Sequence, residues 1–332
     1  MQAVVLCDHG APDVLELRDV PEPVPGEGEV VVEVRAAALN RRDTLIRAGA
    51  GPAYRFPLPL ILGSDGAGIR RDTGSEVVIL PSLNWGTSES VAGPDFRILG
   101  GPRDGTYAEL VAVPTENLFP KPPGLSWQQS AALPLAALTA FRALFRVGDL
   151  RPGERVVVLG VGSGVSLAAI QLAVHAGAQV AVTSSASSKL ARAYELGADA
   201  GASYLDADWV GALRERIGEA DLVLDSVGTT WAESLRLLRP GGRLVALGGT
   251  GGSEVTLDIR SVYLSQKRIL GTMMGSPADF GEVLRIVDRG ELMPVIDSVS
   301  SLGDAAMAHA RMESGQHFGK LVLTVSGSGL AT

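Results

Sequence analysis

The sequence predicts an α/β chain in which a doubly wound parallel sheet accompanies a second, mostly antiparallel β region. Three observations predict it. Residues 155–189 read strand, glycine-rich turn, helix, strand, with no Asp, Glu, Lys or Arg between the two ends. That alternation of strand and helix then repeats as far as Leu247, and only a parallel sheet covered on both faces accommodates it. Residues 1–123, by contrast, carry alternating apolar and polar residues among many prolines and glycines.

In chain order, residues 29–35 alternate Val30, Val32 and Val34 with Glu29, Glu33 and Arg35, the mark of a half-buried antiparallel strand. Residues 77–80 and 107–113 continue the theme, and 81–105 read as a long surface loop. Residues 156–159 are a β-branched strand, 165–175 an apolar helix and Gly177 its stop. Strands at 179–183, 201–205, 222–225 and 243–247 are separated by helices at 189–196, 209–217 and one that Thr230 and Glu233 open at capping-box spacing and Pro240-Gly241-Gly242 ends. Residues 268–274 read as a further strand. Phe280, Val283, Leu284 and Val287 mark a helix face, 321–325 a last strand, and 326–332 a disordered tail.

At 332 residues the chain exceeds one ordinary core, so two domains are expected. A hydrophobic content of 46% is ample for both. The net charge of −8 argues against nucleic acid or an anionic membrane as partner. A single cysteine, Cys7, excludes an intramolecular disulfide. The opening MQAVVLCDHG has no basic leader and too short an apolar run for a signal peptide, so a cytoplasmic location is expected. Glycines and serines interrupt the uncharged run 156–188, which therefore reads as buried strand and helix rather than a membrane span.

The turn holding Gly160, Gly162, Ser163 and Gly164 is the candidate anion site. A strand that feeds a helix through glycines presents unpaired N–H groups and removes the Cβ atoms that keep a pyrophosphate away. The spelling departs from G-x-G-x-x-G, because Val165 stands at the last position counted from Gly160 and Leu167 at that counted from Gly162.

The motifs AALNRRD (37–43), LGSDGAG (62–68), GTYAELVAVP (105–114), AALPLAALTAFRAL (131–144), the 160–173 turn and helix, LGAD (196–199), DSVG (225–228), GGRLVALGG (241–249) and the closing GKLVLTV span nearly the whole chain. On these motifs the chain resembles the medium-chain dehydrogenase/reductase superfamily, in its zinc-free quinone oxidoreductase branch. The resemblance implies a Rossmann dinucleotide-binding domain over 124–275 and a GroES-like catalytic domain over 1–123 and 276–332. Where metal-dependent members place a cysteine this chain has Asn40, where they have Gly-His-Glu it has Gly63-Ser64-Asp65, and the third ligand falls near Leu135. None of these replaces thiolate or imidazole, so no metal is expected. Without a Lewis acid, the remaining chemistry is hydride delivery to an acceptor that is already electron-poor.

The second strand of the nucleotide unit ends in Val182-Thr183-Ser184-Ser185, with no carboxylate until Glu195. Ser185, Lys189 and Tyr204 stand where quinone oxidoreductases bind NADPH, though Ser185 and Ser188 also fit a plain helix cap with Lys189 as a solvated charge. The resemblance also puts Asn40, Tyr54 and Thr139 near nicotinamide and substrate as the catalytic set, and Gly248, Gly249 and Thr250 beneath the ring. For Asn40 the alternative is satisfaction of backbone groups and for Tyr54 a rim aromatic, while Asp43 reads either as a residue supporting the site from behind or as a strand-to-helix cap. The expected function is NADPH-dependent reduction of a quinone or similar enone. An enoyl or alkenal double-bond reductase, with Arg41, Arg42, Arg47 and Arg55 as candidates for carrier phosphates, and a non-catalytic NADPH-binding protein are the alternatives. A homodimer paired through the edge strand 268–274 is implied as well.

Overall fold

The computed structural model describes residues 1–325. The chain divides into two compact units, one comprising Met1–Ala136, Gly275–Asp288 and the chain from Met293 onward, the other Ala137–Met274 and Arg289–Leu292. The boundaries expected near 123 and 275 stand beside this division at 136 and 274.

In the first unit the strands Leu118–Pro120, Glu76–Ile79, Asp65–Arg70, Glu29–Ala38, Lys320–Thr324 and Ile296–Ser301 lie side by side, and Leu110–Pro114 also pairs with Glu29–Ala38. Pairing is antiparallel except between the last two of the six. The alternation read at 29–35 holds, since Val32 and Val34 are buried while Glu33 is only partly so. Gln2–Leu6 and Leu15–Asp19 add an antiparallel pair that Leu60–Ile61 extends. Helix Pro277–Asp288 buries Phe280, Val283 and Val287, and Phe280 meets Phe119 edge-on at 5.0 Å. The stretch 81–105 departs from a surface loop. It holds the two-residue strands Ser82–Leu83 and Arg97–Ile98, buries Trp85 and Leu99, and sets Trp85 against Phe96 at 5.4 Å. Its aromatic and leucine side chains, too sparse for a periodic signal, find partners only in three dimensions.

The second unit is a six-stranded parallel sheet in the order Ala200–Ser203, Gln179–Ser184, Arg155–Val158, Ala220–Asp225, Leu238–Ala246, Arg268–Gly271. Helices Gly164–His175, Ser187–Glu195, Trp209–Ile217 and Trp231–Leu237 alternate with the strands. Val157, Val223 and Leu244 are fully buried, which is why these strands read as continuous apolar runs. Asp208 caps Trp209–Ile217 by accepting the Gly211 N–H at 3.1 Å. The capping box expected from Thr230 and Glu233 does not form, because the Thr230 hydroxyl is drawn to Asp225 instead. The following strand starts at Leu238, ahead of Pro240-Gly241-Gly242, and absorbs them at a register shift. The last strand ends at Gly271, not Met274, whose φ of 44° turns the backbone out of the extended region. The expectation for residues 326–332 lies outside the described residues. No helix among those described is long and apolar enough to cross a membrane.

Candidate active site

The candidate ligand site lies at the carboxyl end of the parallel sheet. Strand order reverses between Arg155–Val158 and Ala220–Asp225, the point at which such sheets open a crevice. A small cleft lies there, lined by Val158, Leu159, Val165, Ser166, Leu224 and Ser226 among others. Gly160, with φ of 67°, and Gly162, with φ of 136°, adopt conformations that side-chain-bearing residues rarely reach, so the turn requires glycine at both. Ser163 caps the helix Gly164–His175 by accepting the Ser166 N–H at 3.1 Å, and the Ser166 hydroxyl accepts the Gly162 N–H at 3.1 Å. Those bonds explain how the turn holds its shape without the usual last glycine of the fingerprint.

Ser184 and Ser203 are register partners on adjacent parallel strands, so Ser185 and Tyr204 both follow directly at the same sheet edge. The Tyr204 N–H donates to the Ser184 carbonyl at 3.2 Å, and both Ser185 and Tyr204 are exposed. Lys189 lies in the first turn of Ser187–Glu195. Gly248, Gly249 and Thr250 are exposed just past Leu238–Ala246, where the Thr250 and Gly251 N–H groups donate to Ser226 and Val227 carbonyls at 3.2 and 2.7 Å. The loop they meet is organised by Asp225, a residue the sequence reading quoted in a motif but gave no role. Buried at the end of its strand, its carboxylate accepts the Val227 and Gly228 N–H groups at 2.8 and 3.0 Å and the Thr230 and Ser234 hydroxyls at 2.7 and 2.8 Å. Thr139, in the same unit, lies in the helix Pro134–Phe141 and is only 5% exposed.

The first unit holds a buried polar group around Asn40, at the start of helix Arg41–Ala48. The Lys320 ammonium donates to Asn40 Oδ1 at 2.7 Å and to Asp65 Oδ2 at 2.8 Å, while Asn40 Nδ2 donates to the same Asp65 oxygen at 2.9 Å. Asp65 Oδ1 accepts the Leu135 N–H at 2.8 Å. The sequence names Asp65 only as the end of Gly63-Ser64-Asp65, without a role, and does not single out Lys320. The available signals were a lone lysine opening an apolar strand in GKLVLTV and a lone acid among glycines in LGSDGAG.

Beside this group, Asp43 Oδ2 accepts the Asn40 backbone N–H at 2.8 Å, the helix-capping role foreseen as an alternative, and the Tyr107 hydroxyl at 3.2 Å. Burial pushes the Asp43 carboxyl up to about 6, against the opposing pull of the Arg42 guanidinium. Burial also raises the Tyr107 hydroxyl, with the Asp43 charge adding to it. His309, fully buried with Nε2 3.4 Å from Tyr107 Oη, is lowered to about 3 by burial and by the nearby Arg47. Tyr54 ends the short 3-10 turn Pro52–Tyr54 and packs partly buried against the core.

The positions that resemblance assigns to metal ligands do not offer a zinc its donors. Asn40 Oδ1 faces an ammonium, Leu135 brings only backbone, and the Ser64 hydroxyl donates to the Leu99 carbonyl at 2.8 Å while accepting from Arg42 at 2.8 Å. Three of the four arginines considered for carrier phosphates are also engaged internally, Arg55 through Nε to the Gly49 carbonyl at 3.2 Å. Arg42 donates to Ser64 and to the Leu99 carbonyl, and the buried Arg47 pairs with Glu313 and the Gly10 carbonyl. Arg41 and Arg55 remain exposed.

Comparison with known proteins agrees with this architecture. The model of the alcohol dehydrogenase GroES-like domain matches residues 26–123, and that of zinc-binding dehydrogenase matches 164–289. A quinone oxidoreductase of Pseudomonas aeruginosa is 33% identical over 329 residues, covering 95% of this chain and 97% of that protein. The crystal structure of an NAD-dependent alcohol dehydrogenase has a TM-score of 0.92 at 40% identity, covering 98% of this chain and 100% of that one. A crotonyl-CoA carboxylase/reductase in complex with NADP has a TM-score of 0.90 at 25% identity, covering 98% of this chain and 94% of that one. The chain therefore belongs to the medium-chain dehydrogenase/reductase superfamily and is an oxidoreductase of that type.

Proposed function

We propose that this oxidoreductase uses NADPH to deliver hydride to a quinone or similar electron-poor conjugated carbonyl, without zinc. The observation that carries the reading is the Asn40–Asp65–Lys320 group, which sets an amide and an ammonium where a metal-dependent relative needs soft ligands. Without a Lewis acid to stabilise an alkoxide, a simple alcohol is a poor substrate, whereas a quinone or enone needs only orientation and exclusion of water. The cofactor supplies the hydride. This chain's glycine turn, Ser185, Lys189 and Tyr204 hold its phosphates, and Asn40, Tyr54 and Thr139 contact the nicotinamide or acceptor. An NADPH preference is supported by Ser185 and Lys189 after the second strand, with no carboxylate in the sequence from there to Glu195, and by Tyr204 after the adjacent strand.

An enoyl-thioester reductase is the second reading, favoured by the likeness to the crotonyl-CoA enzyme. Internal engagement of Arg42 and Arg47 weighs against it, because carrier phosphates need exposed cations. Assays of NADPH and NADH oxidation with quinones, alkenals, enoyl thioesters and simple aldehydes, on protein of measured metal content, test the choice. Quinone-dependent NADPH oxidation that survives a chelator supports the proposal. One tightly held zinc per chain, with activity lost on its removal, overturns it.

We further propose a homodimer through Arg268–Gly271. Among the described residues this strand pairs on one side only, with Leu238–Ala246. Nearby in sequence, Ile259, Tyr263, Leu264 and Met273 are 72%, 59%, 70% and 48% exposed, an apolar set that a second copy would cover.

A further inference from the structure

Asn40, Asp65 and Lys320 form a group whose donors and acceptors admit only one arrangement. An ammonium donates and never accepts, and an ionised carboxylate accepts and never donates. With Lys320 Nζ 2.7 Å and Asp65 Oδ2 2.9 Å from opposite atoms of the same amide, Asn40 must turn Oδ1 to the lysine and Nδ2 to the aspartate. Asp65 itself cannot turn away, because its other oxygen holds the Leu135 N–H and its first also holds Lys320. One Nδ2–H is thus tied to Asp65. Among the described residues the second meets the Ala38 carbonyl at 3.5 Å, the outer limit of a hydrogen bond. Asn40 is 7% exposed, whereas Asp65 and Lys320 are more deeply buried at 0% and 4%.

We infer that Lys320 is a positioning residue, which locks the Asn40 amide with one N–H available to the oxygen of the acceptor. This role rests on the proposed reduction of a conjugated carbonyl. In that reaction the hydride of NADPH adds to the acceptor with two electrons, NADP⁺ is left, and negative charge gathers on the acceptor oxygen until a proton from water neutralises it. The Asn40 N–H stabilises that charge by a hydrogen bond and keeps its own proton. Lys320 contributes twice. Its bond to Oδ1 polarises the amide and strengthens the opposite N–H, and its charge cancels that of Asp65, which alone would oppose the developing oxyanion. Because Lys320 comes 280 positions after Asn40, closure of the last strand onto Glu29–Ala38 completes the group.

The test uses the full chain with NADPH and 1,4-naphthoquinone, comparing wild type with Lys320→Met and with Lys320→Met/Asp65→Asn. The double variant removes both buried charges together, so it folds even where the single variant, with Asp65 unpaired, does not. Both are expected to lower kcat by about tenfold or more while the NADPH dissociation constant, read by fluorescence, stays within about twofold. A folded double variant with kcat within about twofold of wild type overturns the role of Lys320 and leaves the function standing. Parallel loss of kcat and NADPH affinity overturns it too, as the signature of a merely structural residue. A wild type without naphthoquinone-dependent NADPH oxidation overturns the proposed function, and this role with it.

Discussion

The Tyr107 hydroxyl donates to Asp43 Oδ2 over 3.2 Å, inside the core of the first unit. Asp43 is fully buried, and its second oxygen, Oδ1, has no hydrogen-bond partner among the described residues. Burial raises its pKa and the charge of Asp65 adds to the rise, and together they outweigh the opposing pull of Arg42 and Lys320 to hold the carboxyl at about 6 rather than 3.8. Since the folded state grips this proton more tightly than the unfolded chain, Asp43 contributes stability that is full below pH 3.8 and is lost as pH rises through about 6. The change amounts to about 3 kcal/mol. His309 has the opposite sign. Its contribution is present above pH 6.5 and is lost as pH falls toward about 3. Denaturation of wild type and Asp43→Asn across pH isolates the first limb. The variant-minus-wild-type stability should rise between pH 3.8 and about 6 and then level off; a difference flat over that range would show that Asp43 titrates at its ordinary value.

Asp225 anchors the loop after its strand through four bonds to one carboxylate. Gly228 in that loop has φ of 91°, and a Cβ there would lie 2.3 Å from the Gly252 carbonyl oxygen, so the loop packs directly against the glycine-rich turn 248–252. Asp225→Ala leaves two N–H groups and two hydroxyls without their acceptor, at a cost of roughly 1.5–3 kcal/mol for each charge-assisted bond not replaced by water. The expected result is a lower melting temperature and weaker NADPH binding, with Asp225→Asn milder because one carbonyl oxygen still accepts. Unchanged NADPH affinity in a folded Asp225→Ala would separate this loop from the cofactor site.

Lys189→Ala should raise the Michaelis constant for NADPH by roughly tenfold or more, through loss of one charge-assisted phosphate contact, and scarcely change NADH use. The likeness to an NAD-dependent enzyme makes the comparison between cofactors decisive. Equal losses with both would show that Lys189 does not touch the 2′-phosphate.

For the dimer, mass in solution at micromolar concentration is the first measurement. Leu270→Pro removes an N–H and fixes φ in the proposed pairing strand, so it should yield a folded monomer. Monomeric wild type, or a dimeric proline variant, would contradict pairing through Arg268–Gly271.

The parallel sheet was legible in the sequence because each of its signals is local. Glycines 160, 162 and 164 and the apolar run before them lie within a few residues of one another, where backbone sterics decide the outcome. Thr230 shows the limit of that logic: its spacing to Glu233 is right for a capping box, yet a carboxylate at Asp225 competes for the hydroxyl and wins. Around Asn40 the sequence supplied the absence of zinc-binding side chains, because donor chemistry is read from residue type alone. What fills the position was decided by tertiary structure. Lys320 and Asp65 lie 255 residues apart, and each is tolerable in the core only because folding brings the other within hydrogen-bond reach.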